Sequence, residues 1–256
     1  MKLTILGCSG SIPGPTTPAS GYLVESGDTG VLLDLGNGTL GTLQRFVDPF
    51  RPEALLLSHL HPDHCADFGA LTVLRRYHPV PPYDPRERRL PVFAPPEAPD
   101  RLAALYASNA AERATTDLSD VFDFRAVPEV PVRVGPFEIT AFPLEHVCPS
   151  WGFRVTAEGR VLAYTADTGP CGRLDELADG ADVLLAEASW PDSPEHPDGL
   201  HLSGRQAAEV AEKGAVGRLL LTHLQPWSDG EAIHAEAREH TSVPVDVVAA
   251  GETYRV

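Results

Sequence analysis

The sequence predicts an α/β protein built from two β-sheets packed together with helices on the outside. Strand-like apolar runs bounded by turn residues gather toward both ends of the chain, and stretches with helical spacing of apolar residues are interspersed among them. One buried-strand pattern that ends in a hydroxyl residue and a histidine occurs twice. The first element is residues 2–6, where one lysine precedes Leu3-Thr4-Ile5-Leu6 and Gly7 ends the run. Apolar runs at 22–25 and 31–34 follow, then a helical pattern at 39–46 and the strand 54–57. Helical spacing returns at 66–77 and 98–114, on either side of a strand at 91–94. Strands at 137–142, 152–156, 161–165 and 183–186, with a short helix at 173–177, lead to a helix at 203–213, a strand at 219–222, a helix at 231–240 and a strand at 245–249. Ser203 with Gln206 three residues on is a capping-box pattern, and Gly214 stands at the helix exit. The one irregular stretch, 78–89, is rich in Pro and Arg and reads as an ordered loop or lid.

A chain of 256 residues that is 43% hydrophobic, 22% charged and 7% aromatic has the balance of a soluble globular protein, and a single domain over 1–256 is expected. With 20 basic and 36 acidic side chains the net charge is −16, a field that repels polyanions and argues against groove-tracking nucleic-acid binding. The four cysteines, Cys8, Cys65, Cys148 and Cys171, form no CxxC pair, so neither a disulfide framework nor a thiolate zinc site is indicated. The first apolar run is too short for a signal sequence, and no stretch approaches the roughly 20 apolar residues a membrane helix needs. A cytoplasmic protein with reduced thiols and no membrane partner is expected.

The repeated pattern is Leu55-Leu56-Leu57-Ser58-His59 and Leu219-Leu220-Leu221-Thr222-His223, which suggests a pseudo-duplicated fold. Its first copy opens His59-Leu60-His61-Pro62-Asp63-His64, three imidazoles and a carboxylate within six residues. Residues i and i+2 at a strand end share a face, so His59 and His61 can grip one ion, while Asp63 and His64, past the turn at Pro62, address a second. Nitrogen and oxygen ligands suit zinc, manganese or iron. The competing reading is a histidine-rich surface turn, which the preceding strand and the histidines downstream disfavour. His146, Asp167 and His223 each follow a strand as well. Singly, they read as a loop histidine, a turn or cap residue and a strand-end hydrogen bonder. Together they add what a bimetallic site requires: a shared carboxylate and further imidazoles.

These residues resemble the metallo-β-lactamase superfamily, whose HxHxDH motif is matched by His59 to His64 and whose later ligands are matched by His146, Asp167 and His223. The resemblance covers nearly the whole chain. It implies an αββα sandwich, two mixed sheets flanked by helices, and two divalent metal ions, zinc foremost with manganese as the alternative. It places one ion on His59, His61, His146 and Asp167 and the other on Asp63, His64, Asp167 and His223. Within the superfamily the chain resembles the ribonuclease Z-like phosphodiesterases, through Gly7-Cys8-Ser9-Gly10-Ser11-Ile12-Pro13, Ala163-Tyr164-Thr165-Ala166-Asp167-Thr168, Ala186-Glu187-Ala188 and His201-Leu202-Ser203. His201 matches that branch's general acid, although Leu202 stands where a serine is common.

Ribonuclease Z carries a long basic arm between the strands that correspond to 152–156 and 161–165, and here only Ala157-Glu158-Gly159-Arg160 joins them. Without the arm, tRNA loses its docking surface. The likeness is then to arm-less bacterial atypical cyclic nucleotide phosphodiesterases, also through Leu35-Gly36-Asn37-Gly38, and implies hydrolysis of a 3′,5′-cyclic nucleotide to the 5′-nucleotide. Relatives of this kind form homodimers, so the resemblance implies one here. The expected chemistry is in-line attack on phosphorus by a metal-bridging hydroxide. Asp63 orients the nucleophile, His201 protonates the leaving oxygen, and Glu187 orients His201 or a ligand. For substrate binding the sequence offers Ser9 and Gly10 in the glycine loop, whose backbone N–H groups suit phosphate, and Trp151, with Trp227 and Tyr22 as further stacking candidates. His78, His196, His234 and His240 read as surface or helix-face residues. Two other readings stand beside this one: a hydrolase acting on short RNA, another ester, an arylsulfate or a lactone, and a binding protein with a structural metal. Structural zinc sites are closed and single, which argues against the latter.

Overall fold

The computed structural model describes residues 1–256. Its strands are β1 (Lys2–Gly7), β2 (Gly21–Ser26), β3 (Thr29–Leu33), β4 (Ala54–Leu56), β5 (Leu90–Ala94), β6 (Phe122–Ala126), β7 (Val132–Val134), β8 (Phe137–Leu144), β9 (Ser150–Ala157), β10 (Arg160–Tyr164), β11 (Val183–Glu187), β12 (Leu219–Thr222), β13 (Val245–Val247) and β14 (Thr253–Arg255). Its helices are α1 (Thr39–Leu43), α2 (Pro62–Cys65), α3 (Phe68–Tyr77), α4 (Ala98–Tyr106), α5 (Ala110–Thr115), α6 (Arg173–Ala178), α7 (Gly204–Lys213) and α8 (Gly230–Glu239). The strands form two seven-stranded sheets, in the orders β14-β1-β2-β3-β4-β5-β6 and β13-β12-β11-β10-β9-β8-β7. Each sheet is mixed: the hairpins β2/β3 and β9/β10 are antiparallel, and parallel strands continue from β3 through β6 and from β10 through β13.

Period-2 alternation within apolar strands builds four layers. Leu56 of β4 and Leu220 of β12 point into the core between the sheets, together with Ile5, Tyr22, Phe137, Phe153 and Leu185. Leu55 and Leu57 face the other way, onto Leu40, Phe68, Leu71 and Leu102 of α1, α3 and α4. Leu219 and Leu221 likewise face Leu177, Ala207, Ala211 and Ile233 of α6, α7 and α8. A strand buried on both faces must be apolar throughout, which is why 54–57 and 219–222 are continuous runs. This is the αββα sandwich expected.

Several boundaries differ from the sequence reading. The 98–114 helix is broken into α4 and α5, because Asn109 turns extended and its side chain caps α5 by accepting from the Glu112 amide at 3.0 Å. The 66–77 helix is preceded by a separate turn, α2, with Pro62 at its first position, and the 39–46 helix ends at Leu43. β6, β7 and β14 lie outside the sequence expectation; each is a sheet-edge strand of three to five residues, short and interrupted by charged or polar residues. The Ser203–Gln206 capping box is present in both directions.

The 78–89 stretch is irregular but anchored. Arg75 beneath it is buried, donates to the Val121 and Arg88 carbonyls and lies over the rings of Phe50 and Tyr83. No helix is long and apolar enough to cross a membrane. Duplication is visible in the topology, but the two copies of the Leu-Leu-Leu pattern are not its equivalents. β4 is the first parallel strand after its hairpin, whereas β12 is the second after its own.

Candidate metal centre

The carboxyl ends of β3, β4, β10, β11 and β12 converge at one mouth of the sandwich, the place where parallel strands present functional side chains. They deliver Asp34, His59, Asp167, Glu187 and His223 respectively, while the β8–β9 loop brings His146 and the approach to α7 brings His201. Three residues on these strand ends have left-handed backbone: Asp34 (φ 57°), Ala166 (φ 51°) and His223 (φ 58°). Such a conformation is uncommon for residues with a side chain, costs about 1–3 kcal/mol each, and clusters where geometry serves a site. Gly10 is required where it stands, since a Cβ there would lie 2.3 Å from the His223 carbonyl oxygen.

Two groups of side-chain donors face one another across Asp167, and they are the two groups the sequence singled out: His59, His61, His146 and Asp167, and Asp63, His64, Asp167 and His223. In the first, His59 Nε2 and His146 Nε2 lie 3.0 and 3.3 Å from His61 Nδ1, and His59 Nε2 is 3.7 Å from Asp167 Oδ2. In the second, His223 Nε2 lies 3.3 Å from His64 Nε2 and 3.2 Å from Asp63 Oδ2, and Asp167 Oδ1 sits 3.0 Å from His64 Nε2 and 3.2 Å from His223 Nε2. Ligands tetrahedrally bound at 2.0–2.1 Å are separated by about 3.3 Å, so both groups are already spaced for an ion. Asp167 Oδ1 is buried and accepts no hydrogen bond, an orphan acceptor that a cation would satisfy. These residues fit two divalent metal ions.

The far ring nitrogens fix the tautomers. His59 Nδ1 donates to Ser58 Oγ (3.0 Å), His64 Nδ1 to Asp34 Oδ2 (2.8 Å), His146 Nδ1 to the Leu200 carbonyl (2.9 Å) and His223 Nδ1 to Ser189 Oγ (3.1 Å). Each leaves its Nε2 lone pair toward the centre. Ser189 in turn donates to Glu187 Oε2 at 2.9 Å, and Glu187 Oε1 accepts from the Thr168 amide (2.7 Å) and His201 Nδ1 (3.0 Å). Glu187, His201 and His223 also lie within ligand reach of one another, but both Glu187 oxygens are already taken by donors.

Electrostatics follow from burial and pairing. Burial, with the neighbouring His64 charge, pushes the His59 imidazole well below its ordinary pKa, and burial lowers His146 as well. Burial would raise the Asp167 carboxyl, but His223 and His64 outweigh it and hold it well below the usual range. Asp63 is likewise pulled down against burial by the His223 hydrogen bond and the His64 charge. For His64, the Asp167 and Asp34 carboxylates overcome burial and raise the imidazole. Burial lowers His201, but the Glu187 carboxylate more than reverses this and raises it to about 9.

Sequence reasoning missed Asp34, Ser58, Tyr164 as a donor, and Ser189. Asp34 is fully buried and accepts from the Ser58 amide, Ser58 Oγ, Tyr164 Oη and His64 Nδ1. A carboxylate inside the apolar run Leu32-Leu33-Asp34-Leu35 was the available signal. Cys148, scattered in sequence, has its thiol 4.0 Å from His61 Nε2, and burial raises its pKa.

Two of the substrate-binding expectations, the glycine loop and Tyr22, fall on groups already engaged within the fold. The glycine loop is no open amide cradle: the Ser9 amide donates to Pro18 O, the Gly10 amide to Leu224 O, and the Ser9 hydroxyl is buried. The loop instead buttresses His223. Tyr22 cannot stack on a ligand, because it lies in the inter-sheet core, hydrogen-bonded to Thr222 at 2.7 Å. Trp151 is half-buried, its amide bonded to the Ser58 carbonyl beside His59, and Trp227 is exposed. His196 is more than a surface residue. It stacks 4.4 Å from Trp190, whose ring meets His201 edge-on at 5.1 Å.

Fold and ligand set define a class, and comparison with known proteins agrees. Residues 29–224 match the family model described as a β-lactamase superfamily domain, and the chain belongs to that superfamily. It is a metal-dependent hydrolase of the metallo-β-lactamase fold. The chain is 45% identical over its full length to an uncharacterised protein of Mycobacterium leprae, of which it covers 89%. It is 32% identical to a ribonuclease Z of Mycobacterium avium, over 88% of this chain and 86% of that one. The crystal structure of the metallo-β-lactamase fold protein YhfI of Bacillus subtilis superposes with a TM-score of 0.84 at 27% identity, covering 99% of this chain and 98% of the other.

Proposed function

We propose that this chain is a phosphodiesterase that opens a small phosphodiester, a 3′,5′-cyclic nucleotide, to the 5′-nucleotide. The observation that carries the reading is the pairing of two adjacent ligand groups on Asp167 with an imidazole, His201, whose Nδ1 lies 3.0 Å from the buried Glu187 carboxylate. Bound at His59, His61, His146 and Asp167 and at Asp63, His64, Asp167 and His223, two divalent cations, zinc by this ligand chemistry or else manganese, supply Lewis acidity and an acidified water.

The chain's own residues do the rest. Asp63, held ionised, keeps a carboxylate oxygen at the centre as ligand and hydrogen-bond acceptor for the attacking water. His201 carries a proton at neutral pH and gives it to the sugar oxygen that leaves phosphorus, so the alkoxide never builds up full charge. Glu187 keeps that proton-bearing ring in place through Nδ1.

A ribonuclease Z relative supports phosphodiester chemistry, and two features support a small substrate over RNA. β9 and β10 are joined by the tight turn Glu158-Gly159, which leaves no arm to hold RNA, and the net charge of −16 repels a polyanion. Metal-reconstituted protein incubated with 3′,5′-cyclic AMP is expected to give 5′-AMP, and His59→Ala to give none. No product with both metals bound would reject the cyclic-nucleotide substrate and direct the search to other diesters, arylsulfates and lactones.

A further inference from the structure

We infer that the cavity beyond Trp151 is the subsite for the planar aromatic group of the substrate, a nucleobase under the reading above, on which this inference rests. The cavity has a volume of about 600 Å³ and opens at the carboxyl ends of β5 and β6, next in the sheet to the β4 end that carries His59. Its far wall is the loop that brings His146 to the centre. Pro149 follows Cys148, whose thiol is 4.0 Å from His61, and the Trp151 amide is bonded to the residue before His59. The cavity and the His61 flank of the metal centre therefore share this loop.

Its lining matches a flat, largely apolar ring system with a polar edge. Trp151 and Phe124 offer aromatic faces, and Pro96 and Pro149 offer rigid aliphatic ones that lose no rotamer freedom on contact. At the rim, Arg125 supplies donors while Asp123 holds its guanidinium at 2.7 Å, and Glu129 supplies an acceptor. Donor and acceptor side by side suit the ring nitrogen and exocyclic amine of a base. A ligand site of a few hundred cubic ångströms with apolar walls and a few polar groups has the general character of small-molecule sites.

The other aromatic at the mouth, Trp227, is the competing platform. It lies after His223, exposed, with its indole N–H given to Gln225. Ala126 separates the two cases, because it lines the cavity, is exposed at the end of β6 and belongs to neither ligand group. Calorimetry on zinc-loaded protein would compare adenosine 5′-monophosphate with inorganic phosphate, in the wild type and in Ala126→Trp, which fills the cavity. Phe124→Ala, which strips a wall, guards against a variant that does not fold.

The wild type should bind the nucleotide at least about tenfold more tightly than phosphate, and either variant should erase that advantage while phosphate binding stays the same. An advantage that persists in both variants, or that disappears in Trp227→Ala instead, would overturn the inference. Hydrolysis of cyclic AMP, measured separately, keeps the two claims apart. Turnover without any nucleotide advantage counts against the subsite alone, whereas no turnover and no advantage removes both.

Discussion

Asp34 and Asp167 are buried carboxylates at corresponding places in the two sheets, each just past the second strand of an antiparallel hairpin where the sheet turns parallel. Their surroundings differ. Asp34 accepts four hydrogen bonds, from Ser58 twice, from Tyr164 and from His64. Asp167 Oδ1 is without a hydrogen-bond partner and faces the Nε2 atoms of His64 and His223 at 3.0 and 3.2 Å. A buried charge must be compensated, by protein donors or by a counter-ion. Asp34 is compensated by the protein and so fixes the orientation of His64. Asp167 is left for cations, and so can join two of them.

Replacing Asp167 should break this asymmetry most. Asp167→Asn is expected to cut turnover by on the order of 10³-fold or more and to leave at most one tightly held metal per chain, read by elemental analysis after dialysis. Glu187→Gln comes next. It should lower turnover roughly 10²-fold through His201 while metal content stays at the wild-type level, since no ligand is lost.

The Glu187 variant also has a pH signature in metal-free protein. His201 is raised in the fold from 6.5 to about 9, so its contribution to stability is fully present below about pH 6.5 and fades as pH rises through 9. The stability gap between wild type and Glu187→Gln, measured by urea unfolding, should therefore be larger at pH 6 than at pH 10. A gap that widens with pH would refute the pairing.

Asp34→Asn keeps the shape but disturbs the hold on His64, and should weaken metal binding about 10- to 100-fold with a stability loss of about 1–3 kcal/mol. If Asp34→Asn instead matched Asp167→Asn in abolishing metal binding, the two carboxylates would not have separate tasks. The smallest effect is at Ala166. Ala166→Gly relieves left-handed backbone at φ 51° and should change stability by less than about 1 kcal/mol, with activity retained.

The residues of the two clusters were legible because histidine is uncommon and because His59, His146, Asp167 and His223 each follow a strand that ends at the mouth of the sandwich. Asp34, Ser58 and Ser189 were not, since acids and hydroxyls at strand ends serve turns and caps equally well and their partners are distant. Tyr164, for instance, reaches Asp34 from 130 positions away and from the other sheet. The four-layer architecture was visible in the doubly apolar strands, whereas β6, β7 and β14 carry edge sequences without that pattern. The repeated Leu-Leu-Leu motif marks two strand ends that lead into the candidate metal clusters, yet burial on both faces, not a shared position in a duplicated unit, explains its likeness.

The most direct test of Asp167 as the shared ligand is anomalous diffraction from crystals of the protein grown with zinc. Two peaks about 3.5–4 Å apart, one on each side of the Asp167 carboxylate, are predicted. A single ion, or an ion seated on Glu187, His201 and His223, would contradict it.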